Sequence, residues 1–337
     1  MVLLSYRLFF AWVGGLTVNF LAYAVFLTPD ATHRVGQLNP AGYGHYGMVA
    51  AAIMFCAILI SAAGTHRHIP RLMPPPAKRK LTLAQTLGEM RETLSNRSFA
   101  FLLASSIASA MAAGLGASLN FYFNTFYWEF TAKQISVITL GVYLSAVIAL
   151  VAVPRLGRHF SKRTVTRTMM VLAVTVGLTP ILLRVANLMP PNHTPQLLAI
   201  VFCTSVIGTA LGITSATMGG SMIADVVEAS QLRTGRRSEG LFFAASAFVQ
   251  KATSGFGIFF ASSIVAAIAL KPGVDPAHVP PGVMHHLALI YAPVQIGLYT
   301  LAFVLLSGYR ITRESHQETL LQLAAEAEEA GQLEPAA

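Results

Sequence analysis

Three acids and three arginines fall within 15 residues of one another, in the run Ala224-Asp225-Val-Val-Glu228-Ala-Ser-Gln-Leu-Arg233-Thr234-Gly235-Arg236-Arg237-Ser238-Glu239-Gly240. Carboxylates and guanidiniums interleaved this way, at the join of two apolar stretches, read as a salt-bridged latch of Asp225, Glu228, Arg236, Arg237 and Glu239. Partly buried ion pairs contribute little net stability because desolvation offsets their attraction. They suit an element that opens and closes. An ordinary charged loop is the competing reading. Lys251, 11 residues past Gly240, stands deep in the next apolar run, ~16 Å in at 1.5 Å per residue. Insertion scales put an ammonium at such depth at ~2.5–3.5 kcal/mol, so Lys251 either faces a water-accessible cavity or a carboxylate, or snorkels. Gln250 beside it, with Ser246, Thr253 and Ser254, makes that stretch polar on one side.

These residues need elements to hold them, and the composition says what kind. The chain is 54% hydrophobic and 11% charged, with a mean hydropathy of +0.60. Soluble domains carry about 25% charged residues, so most of this surface faces lipid. Crossing the hydrocarbon core takes ~20 apolar residues as a helix. Eight runs qualify: 8–27, 47–64, 98–120, 135–153, 168–183, 197–224, 241–270 and 287–307. The expected fold is an all-α integral membrane bundle. The fifth run is short, with Arg184 snorkelling at its end, and the sixth has Gly219-Gly220 as a place to bend.

Charge sets direction. Of 23 Lys and Arg residues, 18 fall in the N-terminus, 65–97, 154–167, 227–240 and 308–337, on one side of an alternating topology. Only Arg34, Lys133, Arg184 and Lys271 fall on the other. By the positive-inside rule both termini are cytoplasmic, in a multi-pass protein of a cell membrane such as the bacterial inner membrane. The net charge of +9 is thereby accounted for without nucleic acid. Cys56 and Cys203 sit in apolar runs as small packing residues. The His66/His68 and His285-His286 pairs read as solvated or headgroup-facing, so neither a metal nor a cofactor site is expected.

The string Ala224-Asp225-x-x-Glu228, then Thr234-Gly235-Arg236-Arg237-x-Glu239-Gly240, then Phe248-Val249-Gln250-Lys251, resembles the signature of the glycoside–pentoside–hexuronide:cation symporters. These are the melibiose-permease-like branch of the major facilitator superfamily. Glu228 stands where that family usually has Asp. The resemblance implies that 98–307 is a complete C-terminal six-helix half, 65–97 the central cytoplasmic loop with a surface helix near 83–94, and 308–337 a cytoplasmic tail. Residues 1–64 would then be the last two helices of the N-terminal half. It implies coupled transport of a sugar or similar solute with Na⁺ or H⁺, Lys251 and Gln250 near the solute, and Arg7 as a sugar-contacting group. For Arg7, a positive-inside anchor is the other reading.

Helices one to four of that family, which hold its cation-binding aspartates and much of its sugar site, have no counterpart here. The chain therefore reads as N-terminally truncated, and a non-transporting fragment stays open beside the carrier. A lysophospholipid carrier of the same superfamily is a further alternative. A membrane enzyme holding Mg²⁺-diphosphate needs two acid clusters of the DxxxD type, and this chain has one, interleaved with arginines. Tyr122, Asn124, Tyr127 and Trp128 line either the external cavity or an interfacial aromatic belt.

Overall fold

The computed structural model describes residues 2–29, 36–67, 69–71, 88, 95–234, 239–268, 270 and 279–329. Among them there are helices and turns and no strand. The helices are α1 (Val2–Leu21), α2 (Pro40–His66), α3 (Arg97–Tyr122), α4 (Ala132–His159), α5 (Lys162–Val185), α6 (Pro195–Thr234), α7 (Glu239–Ala267), α8 (Pro281–Leu306) and α9 (Arg313–Glu329). A π turn closes α1 at Ala22–Phe26 and another closes α3 at Phe123–Tyr127. Among the described residues seven helices, α1 to α6 and α8, are long and apolar enough to cross a membrane. The sequence predicts an eighth span at 241–270, the stretch in which α7 lies.

Local chemistry starts the helices where they start. Asn39 accepts a hydrogen bond from Ala41 N ahead of Pro40, whose missing N–H costs nothing at the first helical position. Asn96 caps α3 through Phe99 N, and Ser161 caps α5 through Thr164 N. Thr131 and Gln134 form a reciprocal capping box on α4. Several helices outrun their apolar stretches. The fifth span, expected to be short, is the 24-residue α5, and α6 continues through Gly219-Gly220 without a break in its helix. The backbone hydrogen-bond ladder is satisfied only by continuing the helix, and that rule outweighs two glycines.

Helices α3 to α8 close into a bundle in which α4 packs on α6, α6 on α5, α5 on α8, α8 on α3, and α3 on α7. Polar side chains reach across these seams. Ser105 Oγ donates to Ala302 O at 2.8 Å, Ser145 Oγ to Val206 O at 2.8 Å, and Ser215 Oγ to Thr166 O at 3.0 Å. Buried Gln295 donates through Nε2 to Ala112 O at 2.9 Å. In hydrocarbon such bonds average about 0.6 kcal/mol each, and close approach of small residues supplies the rest. Gly257 shows that approach: a Cβ there would stand 2.6 Å from Leu115 N. Outside the bundle, α1 packs on α4 and is tied by Tyr143 OH to Thr17 Oγ1 at 2.8 Å. None of α2 is buried; it touches the π turn after α1. Of the surface helix expected near 83–94 only Gly88, which is helical, is among the described residues.

Candidate functional site

The basic end of the bundle gathers the groups that the charge count assigns to one side. Ser161 starts α5, which sets Lys162 in the first turn, facing α6. Its ammonium pairs with the Asp225 carboxylate, a side chain left 7% exposed. Tyr309, fully buried just past α8, donates its hydroxyl to Asp225 Oδ2 at 3.4 Å. Burial, and after it the Asp225 charge, push that hydroxyl's pKa well above the ordinary tyrosine range. His316, in the first turn of α9, brackets the acids: Nε2 is 3.6 Å from Asp225 and Nδ1 is 3.4 Å from Glu228. Arg163 donates to Ser307 O at 2.6 Å and Arg313 to Arg158 O at 3.0 Å, tying the α4–α5 turn to the chain after α8. Phe99, Phe242, Met222 and Val226 form an apolar floor beneath the cluster.

Ligand atoms of Asp225, Glu228 and His316 lie within 4.8 Å of one another, close enough to share a metal ion. The Lys162 ammonium already sits on the Asp225 carboxylate, so a cation would have to displace it. The arrangement is therefore better suited to making and breaking a charge pair than to holding a metal.

The latch predicted from sequence maps onto this place in part. Asp225 and Glu228 are here, whereas Arg236, Arg237 and the Glu239 side chain lie outside the described residues, as does the Arg7 side chain. Lys162, His316 and Tyr309 are the partners that sequence reasoning missed. Lys251 and Gln250 are exposed on α7. Lys251 lies roughly 130° around the helix from the mean direction of buried Phe242, Ser246, Gly257 and Ala261, taking 100° per residue. It thus faces away from α3, on an outer surface that also carries exposed Phe248 and Phe259, rather than into a cavity between the bundle's own helices as its polar neighbours in the sequence suggest. Tyr127 and Trp128 are buried in the core at the opposite end, 7% and 3% exposed. They pack rather than line a cavity or form a belt. Tyr122 stacks with Phe126 at that same end, and Asn124 donates to Asn120 Oδ1 at 2.7 Å. Arg184 does not snorkel there: it lies over the Trp128 ring at 5.2 Å and donates to Asn192 Oδ1 at 2.8 Å.

Comparison with known proteins decides what this bundle is. The family described as MFS/sugar transport protein matches residues 1–313. The chain belongs to that family. It is also 26% identical over 269 residues to an uncharacterised symporter of Synechocystis sp., a match spanning 78% of this chain and 47% of that protein. The chain thus spans about half the length of the curated relative it matches.

This MFS bundle also holds a mostly apolar pocket of about 310 Å³ between α3, α5, α6 and α8. Thr204, Ser205, Thr209, Gln295 and Tyr291 line it beside Gly116, Gly177, Gly208 and Gly212. Glycine at four wall positions leaves the space, and hydroxyls and an amide give an otherwise apolar wall a few polar points. Nothing in the spacing of these residues along the chain marks them, because the pocket is assembled from four separate helices.

Proposed function

We propose that this chain is the solute-handling part of a secondary carrier that moves a sugar or sugar-like molecule together with Na⁺ or H⁺. The position of Lys251 carries the reading. An ammonium midway along an apolar helix, turned away from the bundle's own core, is costly against lipid and stable against a watered cavity. In a carrier of the relative's length, the face of α7 that bears Lys251 and Gln250 borders the cavity between two halves, where alternating access places the solute. The family's sugar-transport description and the relative's description as a symporter support the same reading. The motif of Asp225, Glu228, Arg236, Arg237 and Glu239 supports membership of the melibiose-like branch.

In this proposal Lys251 positions the solute or couples its movement to the cation. Arg7 and Gln250 donate to its oxygens, guanidinium being suited to bidentate oxygen recognition. The Asp225 cluster is the latch at the cytoplasmic end, opening as the halves rock. Both termini face the cytoplasm, and no enzymatic step is involved.

The test is uptake by proteoliposomes containing the full chain, offered labelled α-galactosides, pentosides and hexuronides under an inward Na⁺ or H⁺ gradient. At least one sugar should accumulate above its equilibrium level, and an ionophore that collapses the gradient should abolish the accumulation. Equal uptake with and without the gradient, or none for any sugar class, overturns the proposal.

A further inference from the structure

The basic end carries a feature that coupled sugar transport does not use. A cavity of about 1070 Å³ opens between the α4–α5 turn, the start of α5, the chain after α8, and α9. Its charged lining comprises Lys162, Arg163, Arg167 and Arg313 against Asp225 and Glu314. Lys162 and Asp225 neutralise each other, which leaves three guanidiniums facing one carboxylate. The Arg163 Nε–H is buried and makes no hydrogen bond, although its neighbouring nitrogen is used on Ser307 O. A buried guanidinium donor left unpaired is costly, and an anion in the cavity would satisfy it.

One turn deeper along α5 the lining changes character. A groove of about 380 Å³ runs between α5 and α8, walled by Val171, Val174, Leu178 and Leu182 on one side and Ile296 and Tyr299 on the other. It is open to lipid, since Val171, Leu182 and Ile296 are 46%, 45% and 44% exposed. Phe303 lines both the cavity and the groove. The Arg167 guanidinium lies 3.9 Å above the Phe303 ring, at the junction. A cationic pocket at the membrane surface therefore passes straight into an apolar channel running along the helices.

We infer that this is a binding site for an anionic phospholipid, with Arg163, Arg167 and Arg313 around the phosphate and one acyl chain in the α5–α8 groove. Charge complementarity selects the head and the groove selects the tail. A zwitterionic lipid matches the groove but brings a quaternary ammonium, and no net charge, to the guanidiniums, and a soluble phosphate ester matches only the head site.

The experiment compares retention of phosphatidylglycerol and phosphatidylcholine of identical chains by the purified full chain, read by native mass spectrometry. Attraction of basic residues to anionic lipid predicts a preference for phosphatidylglycerol on the order of ten-fold. Arg163→Ala combined with Arg167→Ala should erase the preference, bringing phosphatidylglycerol retention down to that of phosphatidylcholine. Thr175→Trp, which fills the lipid-facing groove without touching a charge, should lower retention of both lipids. It provides a second test should the arginine variant fail to fold. Equal retention by the wild type, or a preference that survives loss of both arginines, overturns the inference. Displacement of phosphatidylglycerol by excess glycerol phosphate would also overturn it, showing a site for a soluble phosphate compound.

Discussion

Breaking the Lys162–Asp225 pair from either side should give unequal costs, because the two orphans differ in their access to water. Asp225 keeps 7% of its side chain exposed and Lys162 keeps 22%. Stranding a buried charge that cannot escape costs about 3–5 kcal/mol. In Asp225→Asn the stranded group is Lys162, in the first turn of α5, whose methylene stem lets the ammonium swing out to solvent. That variant loses about 1 kcal/mol, the worth of an ordinary hydrogen bond. In Lys162→Met the stranded group is a carboxylate fixed on the wall of α6, with Tyr309 at 3.4 Å, His316 at 3.6 Å and the like-charged Glu228 within 4.8 Å. The lower end of the range then applies, about 3 kcal/mol. The double variant strands nothing, so its cost should fall about 2 kcal/mol short of the sum of the singles. Equilibrium unfolding in mixed detergent micelles, titrated for the four proteins, measures the cycle. Single costs that add to within about 0.5 kcal/mol, or an Asp225→Asn costlier than Lys162→Met, would refute the reasoning.

Two further outcomes follow from single contacts. Gly257→Ala puts a methyl 2.6 Å from Leu115 N and 2.7 Å from Met111 O, both backbone atoms that cannot rotate away; α7 must lift off α3, and the unfolding free energy should drop by about 1–3 kcal/mol. The Tyr309 hydroxyl keeps its proton in the fold well past the point where the unfolded chain releases it. The native state then binds more protons than the unfolded one above pH ~10, so this contribution to stability is lost as pH rises beyond that point, and Tyr309→Phe should flatten the slope.

The spans were legible because the bilayer imposes a fixed apolar length, and every apolar run read from the chain overlaps a helix, five of the eight lying wholly within one. Their ends were not, since helices continue into polar sequence wherever a cap or partner holds them. Thus α2 begins at Pro40, under the Asn39 cap, well before the apolar run that starts at Gly47. Likewise α6 carries Asp225 and Glu228 inside a helix that ends at Thr234, rather than in the loop that charge alone suggests. Asp225 could be picked out because a carboxylate at the end of an apolar run is unusual. Its partners could not, because Lys162 lies 63 residues before it and His316 comes from a tail helix with no distinguishing pattern. Trp128 and Tyr127 misled for a related reason: aromatic residues at a span's end look alike in sequence whether they face headgroups or close a core.

The central claim is that solute and cation move together, and the direct measurement needs no imposed gradient. Proteoliposomes containing the full chain are given a transported sugar at zero Na⁺ and pH difference, and entry of labelled Na⁺ or lumenal acidification is recorded alongside sugar entry. The account predicts that the sugar's own gradient drives one of the two cations inward with the wild type, and that Lys251→Ala, inserted to the same level, carries neither sugar nor cation. Sugar entering with no cation movement, or full co-transport by Lys251→Ala, would contradict it.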